Sequence, residues 1–262
     1  MNQIRRPAVA GMFYPANKQS LGHDIHHYLD QAESETVSVP KALVVPHAGY
    51  IYSGPVAAFA YKQLLPVKDI INRVVLLGPS HRVAFHGLAA PQSDIFTTPL
   101  GDIPIDHQSI ELIAELPQVI ISEQAHLEEH SLEVQLPFLQ EVLTKFTLVP
   151  LVVGDADRFE VAEVIEKLWG DEHTLIVIST DLSHYHGYNE AKQMDRATSE
   201  AIVNLNADQI GYDDACGRNG LKGMITLAVQ KQLVAEILDL RNSGDTAGDK
   251  SCVVGYGAYV FH

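Results

Sequence analysis

The sequence has little cysteine, little positive charge and no long hydrophobic run, and each shortage closes off a class of protein. Cys216 and Cys252 are its two cysteines. Two are too few for a disulfide-built scaffold, allow at most one bridge and suit a reducing compartment, so the chain reads as cytoplasmic. No apolar stretch reaches the ~20 residues that span a bilayer. Arg5 and Arg6 are not followed by the apolar segment of a secretory signal. Lysine and arginine total 18 against 33 acidic residues, a formal net charge of −15. Such an excess of negative charge argues against non-specific binding to nucleic acid or to anionic membranes, while leaving room for a local basic pocket. Internal repeats and low-complexity tracts are missing as well.

What is there is a chain of 262 residues. A chain of this size can bury about three quarters of its unfolded surface, so it needs no metal or disulfide merely to fold. Short runs rich in Val, Ile and Leu stand out: "ALVVPHAGY" (42–50), "RVVLLGPSH" (73–81), "FTLVPLVVG" (146–154), "TLIVIST" (174–180) and "CVVGYGAYVF" (252–261). Each is bounded by Pro, Gly or polar residues, as expected of strands buried on both faces. Helical patterns occupy 20–32, 54–65, 106–116, 158–170, 189–205 and 219–234. Ser20 is the expected N-cap of the first, and Pro55 sits at the start of the second. The polar "RNSGDTAGDKS" (241–251) reads as a surface loop. Alternating strands and helices predict a three-layer α/β/α sandwich with a largely parallel or mixed central sheet. No stretch reads as a linker, so residues 1–262 are read as one domain.

The chain holds 13 histidines, a number that matters only where several converge. The strand-like runs end in "PHAGY", with His47, in "GPSHR", with His81, and in "VISTDLSHYHGY", with Asp181 and His184. Strand ends of a parallel sheet share one edge, where α/β proteins bind ligands. Singly, each histidine reads as a hydrogen-bonded loop residue. At matching positions they predict one crevice, and imidazole is the commonest ligand for transition metals. Asp181 is expected to orient His184, and His184 to move protons. The role of His186 stays open.

Cys216, in "GYDDACGRNG", has polar neighbours, which is unusual for a cysteine that only packs. The helix opening near Asn219 would set its N-terminus beside the sulfur. Cys252 opens an apolar strand and reads as packing. Arg82 and Arg218 flank the expected crevice and suit an anion. "HLEEHSLEVQL" admits two readings. His126, Glu129 and His130 match the H-x-x-E-H pattern of inverted zinc peptidases. Alternatively a helix begins at Ser131 and leaves His126 outside it. Glu129 and His130 then join the arginines as candidates for holding a substrate or anion.

"RRPAVAGMFYP", "PHAGYIYSGPVAA", "LGPSHR", "EHSLEVQLPFL", "STDLSHY", "CGRNG" and "GYGAYVF" follow in this order from residue 5 to 261. Together they resemble the Memo-like protein family, known in prokaryotes as AmmeMemoRadiSam system protein B, over nearly the whole chain. The resemblance implies the fold of the class III extradiol dioxygenases, an α/β/α sandwich whose non-haem iron site cleaves catechol-type rings. It implies metal ligands at His47, His81 and Cys216, with His184 similar to the dioxygenases' proton-moving histidine. Those enzymes use two histidines and a glutamate. A cysteine in the third place is softer and favours copper(I), zinc or reduced iron. The expected cofactor is therefore a divalent or redox metal ion, iron first, with copper or zinc as alternatives. The family's prokaryotic name hints at a pathway shared with an AMMECR-type protein and a radical-SAM protein. Its eukaryotic members look like signalling adaptors.

Three functions follow as expectations. The first is a metal-dependent oxidoreductase of the dioxygenase type. The second is a binding module on the same scaffold, with a small molecule or peptide in the metal cleft. The third is a zinc peptidase through His126 and His130.

Overall fold

The apolar runs each fold into a strand of one sheet. The computed structural model describes residues 3–33 and 39–262. In chain order come β1 (Ile4–Arg5), α1 (Lys18–Gln31), β2 (Ala42–Val45), α2 (Tyr50–Lys62), β3 (Arg73–Pro79), β4 (Leu88–Ala90), β5 (Ile95–Thr98), β6 (Gly101–Pro104), α3 (His107–Ile113) and β7 (Val119–Ile121). Then follow α4 (Glu123–Leu127), α5 (His130–Glu133), α6 (Leu136–Val142), β8 (Thr147–Val153), α7 (Arg158–Lys167), β9 (Thr174–Ser179), β10 (His184–His186), α8 (Tyr188–Val203), α9 (Arg218–Lys231), β11 (Ala235–Asn242) and β12 (Val253–Phe261).

Among the described residues, nine strands make a mixed sheet in the order β10-β12-β2-β9-β3-β8-β4-β7, with β11 paired to β12. β2, β9, β3 and β8 are parallel neighbours. β12 runs antiparallel to β2, and β4 antiparallel to β8. Every residue of β2 and β9 is buried, which is why their sequences are continuous apolar runs. Helices complete the α/β/α sandwich. α2 and α5 pack on the sheet, with α1 and α6 against α2. α9 packs on β3 and β9 with α7 beside it, and α8 lies on β11 and β12. Among the described residues no helix is long and apolar enough to cross a membrane.

The order of strands positions the site. β9 is inserted between β2 and β3, and the three are parallel. His47 follows β2, His81 follows β3, and Ser179 to Asp181 end β9 between them. All three strands deliver their C-terminal residues to one edge.

Several local expectations are corrected. Asn17, not Ser20, caps α1, its side chain accepting the N–H groups of Gln19 and Ser20. α2 starts at Tyr50, so Pro55 falls inside the helix rather than at its opening. The stretch 124–143 is three short helices, and Glu129 rather than Ser131 caps the middle one. Cys252 lies exposed just before β12, so it does not pack. A small sheet, β1-β5-β6, was not foreseen, its strands being too short for a readable period.

The N-terminal arm is tied down by a buried ion pair. Arg5 and Glu133 meet at 2.7 Å with side chains 1% and 0% exposed. The remaining Arg5 N–H groups donate to the His126 and Glu129 carbonyls. Glu133 also accepts from the Ala8 and Val9 amides and the Tyr14 hydroxyl. A buried charge pair is tolerable only when its hydrogen-bonding capacity is filled in this way.

Among the described residues, Asp195 on α8 has no arginine or lysine paired to it in this way. Its carboxylate is 2% exposed and accepts the Ser183 N–H at 3.0 Å. Burial pushes its pKa up to about 6, against the pull of that N–H. The fold then binds the proton more tightly than the unfolded chain does, so stability falls as pH rises from about 4 to about 6. Asp195→Asn should therefore raise stability at neutral pH, by up to about 3 kcal/mol, with the gain fading as pH falls from about 6 to about 4. Urea melts at both pH values check this. A variant less stable than wild type at neutral pH would show that the carboxylate's hydrogen bonds outweigh its desolvation.

Candidate metal centre

The His47 backbone N–H donates to Asp181 Oδ1 at 2.7 Å, pinning the loop after β2 to the end of β9. The imidazole is 2% exposed. Its Nδ1 lies 2.9 Å from Ser179 Oγ and its Nε2 lies 3.3 Å from Cys216 Sγ. Burial, then the neighbouring imidazoles of His81, His130 and His184, hold its pKa well below the ordinary histidine range. A neutral imidazole is the form that binds a metal.

Cys216 is held from both sides. Its N–H donates to the Asp181 carbonyl at 3.3 Å, and its sulfur accepts the Asp181 N–H at 3.3 Å. The next residue, Gly217, starts α9 close against β9. A Cβ there would stand 2.6 Å from the Ser179 carbonyl oxygen, so glycine alone permits the approach. Burial, with Asp181 nearby, pushes the Cys216 thiol up to about 12. A bound cation reverses that preference, since a coordinating thiol is deprotonated outright.

His81 is steered by Glu129, whose Oε2 accepts its backbone N–H at 2.6 Å and whose Oε1 accepts at Nδ1 at 2.9 Å. Glu129 also takes the Ser131 N–H. Burial would raise the Glu129 carboxyl, but the His81 hydrogen bond and charge and the two backbone N–H groups outweigh it and hold it at about 2.

Among the described residues, two trios place ligand-type atoms within 4.8 Å of one another: His47, His81 and Cys216, and His81, Glu129 and His130. In the second, both Glu129 oxygens already accept protein N–H groups, so it reads as support for the first. His130 stacks on His81 with ring centroids 4.5 Å apart and meets Phe13 of the N-terminal arm at 4.8 Å. Burial and the adjacent His81 bring it down to about 4.

A cleft of about 560 Å³ opens from this point, within the size range of small-ligand sites. His81, Cys216 and His184 line it, together with Val83, Phe85 and Arg218. The Arg218 guanidinium lies over the Tyr212 ring at 4.2 Å. Tyr185, 76% exposed at the rim, has a left-handed φ of 62°. Such strain in a non-glycine residue is commonest at functional sites.

The expected pairing of Asp181 with His184 does not form. Asp181 is spent on the His47 amide, and burial raises its carboxyl to about 6 against that bond. His184 Nδ1 instead lies 2.8 Å from the Leu182 carbonyl. Glu129 turns inward rather than toward an anion. Arg82 is exposed and stays outside the cleft lining, whereas Arg218 is part of it. His186 lines the cleft and pairs with Glu190 at 3.4 Å. The peptidase reading fails on geometry. α4 ends at Leu127 before α5 begins at His130, so His126 and His130 share no helical face. His126 is 1% exposed, with Nε2 on the Ala89 carbonyl. Sequence reasoning missed Ser179 and Gln135. A lone glutamine inside the apolar "LEVQLPFL" was the available signal.

Comparison with known proteins agrees with the resemblance drawn from the motifs. A family model described as Memo-like protein matches residues 5–260. A MEMO1 family protein of Aquifex aeolicus is 38% identical, with 99% of each chain covered. One from Methanocaldococcus jannaschii is 36% identical, again with 99% of each covered. Among solved structures, an uncharacterized protein of Escherichia coli K12 shares the fold with a TM-score of 0.51 at 15% identity, covering 84% of this chain and 99% of that one.

Proposed function

The chain belongs to the Memo-like protein family, and on that footing we propose that it holds a metal ion at His47, His81 and Cys216 and works as a metal-dependent oxidoreductase of the dioxygenase type. The observation that carries this is the trio of donors within 4.8 Å of one another, of which His81 and Cys216 line an open cleft. The donor set suits a metal. In a tetrahedral site with the usual N and S bond lengths, donors stand about 3.6 Å apart, and His47 Nε2 and Cys216 Sγ are at 3.3 Å. Three protein ligands leave positions open, the arrangement of catalytic rather than structural sites. Two imidazoles and a thiolate suit iron, with copper or zinc as alternatives. A redox ion there would supply electron transfer and positive charge beside the cleft.

The chain's own residues supply the rest. His184 donates its Nδ1–H to the Leu182 carbonyl, which leaves Nε2 as a proton acceptor on the cleft side. Arg218 offers charge to an anionic or hydroxylated ligand. Val83 and Phe85 offer an apolar lining. A binding module on the same scaffold is the competing reading, and the same cleft would serve it.

The test loads the metal-free protein anaerobically with ferrous iron and follows oxygen uptake on a panel of catechols. Uptake dependent on iron supports the oxidoreductase, and stoichiometric metal without turnover supports the binding module. Against an active substrate, His184→Ala should lower the rate by about 10²–10⁴ while metal content stays near that of wild type. Loss of the metal along with activity would make His184 a ligand instead.

A further inference from the structure

The buried hydrogen bonds beneath His47 can be assigned donor by donor, and the assignment closes. Gln135 lies between acceptors and donors that fix its amide. One amide atom is 2.9 Å from the Pro46 carbonyl, which can only accept, so that atom is nitrogen. The Tyr61 hydroxyl then donates to Oε1 at 2.9 Å. The same Gln135 Nε2 reaches Ser179 Oγ at 2.8 Å and donates to it. Ser179 Oγ also stands 2.6 Å from the Ser131 carbonyl oxygen. Two oxygens that close need a proton between them, and only the serine has one. The hydroxyl proton of Ser179 is therefore used on Ser131. What remains at Oγ is a lone pair, and His47 Nδ1 lies 2.9 Å from it. Only a protonated Nδ1 satisfies that contact.

From this chain of bonds we propose that Ser179, oriented by Gln135 and the Ser131 carbonyl, is a positioning residue that fixes His47 as the Nδ1–H tautomer and so presents a bare Nε2 toward Cys216. The inference rests on the metal-site reading for its purpose, but the tautomer itself is a property of the metal-free protein. Glu129 does the same for His81 by accepting at Nδ1. The two outer supports are joined, because Glu129 also accepts the Ser131 N–H while Ser131 gives its carbonyl to Ser179. The segment 129–135, whose His130 belongs to the H-x-x-E-H pattern, thus acts as one bracket behind both His47 and His81. Outer partners that fix a ligand's tautomer and orientation typically carry about 10- to 100-fold in metal affinity.

The test reads the tautomer without metal and the affinity separately. Nitrogen-15 imidazole spectra of metal-free wild type should show His47 protonated at Nδ1 and bare at Nε2. In Ser179→Ala that pattern should be lost or become a mixture, and zinc affinity measured by chelator competition should fall about 10- to 100-fold. Ser179→Thr, which keeps a hydroxyl, should restore the wild-type spectrum. Protonation at Nε2 in wild type overturns the proposal with no variant needed. So does a Ser179→Ala protein whose His47 spectrum is unchanged. A wild type that takes up no zinc, yet shows the Nδ1–H pattern, overturns the metal reading and leaves the positioning role standing.

Discussion

Replacing Cys216 with serine, or His47 with alanine, should leave the chain unable to retain a stoichiometric metal ion through dialysis. Structural zinc sites are worth about 10–16 kcal/mol spread over four ligands. One lost donor therefore removes on the order of 3 kcal/mol, roughly a 100-fold loss of affinity. The loss should be greater for Cys216, because its sulfur is the only anionic donor of the trio. His126→Ala is the control. Its side chain is buried against the Ala89 carbonyl, away from the trio, so its metal content per folded protein should match wild type. Metal titrations of the three variants, with folding followed by circular dichroism, decide the matter. Full affinity in Cys216→Ser would remove the cysteine from the site and with it the reading built on three protein donors.

The parts of this site that could be read from the sequence are those that strand topology controls. His47, His81 and Asp181 each follow a buried apolar run, and parallel neighbours must deliver their ends to one edge. Cys216 was legible for a different reason, its polar surroundings. The roles assigned to side chains beyond that edge fared less evenly. Asp181 is three residues from His184, close enough in sequence to suggest a pair. Yet the chain turns after Ser179 so that the carboxylate meets the His47 amide and the Leu182 carbonyl takes the imidazole. That choice is made by backbone direction, which spacing does not encode. The break between His126 and His130 was equally hidden, since "HLEEH" has no Gly or Pro. It arises because Glu129 leaves the helix to cap α5 and hold His81, a tertiary contact 48 residues away in the chain. Ser179 left no mark in either pattern and Gln135 only a lone polar residue in an apolar run, because their role exists only where β9 and the segment before α6 meet.

Glu133→Ala should bring the protein to the edge of unfolding. Glu133 is fully buried and accepts four times: from Arg5 at 2.7 Å, from the Ala8 amide at 2.8 Å, from the Val9 amide at 3.0 Å and from Tyr14 at 2.7 Å. Removing the carboxylate strands the Arg5 guanidinium in the interior. Breaking a buried pair in that way costs about 3–5 kcal/mol, and each amide or hydroxyl left without a partner adds about 1–3 kcal/mol where water cannot enter. Against a typical total of 5–15 kcal/mol, little would remain. Glu133→Gln keeps an acceptor oxygen and the volume, so it should lose less, with a urea midpoint between wild type and alanine. Arg5→Met combined with Glu133→Leu removes the stranded charge and should recover part of the loss, but not all, since the Ala8 and Val9 amides would still lack acceptors. The functional consequence follows from position. Arg5 also donates to the Glu129 carbonyl, and the arm it anchors sets Phe13 against His130 and accepts the Tyr50 N–H at the start of α2. Loosening it frees the segment that carries Glu129 and Ser131, which support His81 and, through Ser179, His47. In Glu133→Gln, which stays folded, zinc affinity should thus fall together with the urea midpoint. A Glu133→Ala protein within about 1 kcal/mol of wild type would mean that water or rearrangement fills the place of the carboxylate. A Glu133→Gln protein destabilised but with unchanged zinc affinity would mean that the arm secures the fold without reaching the metal centre.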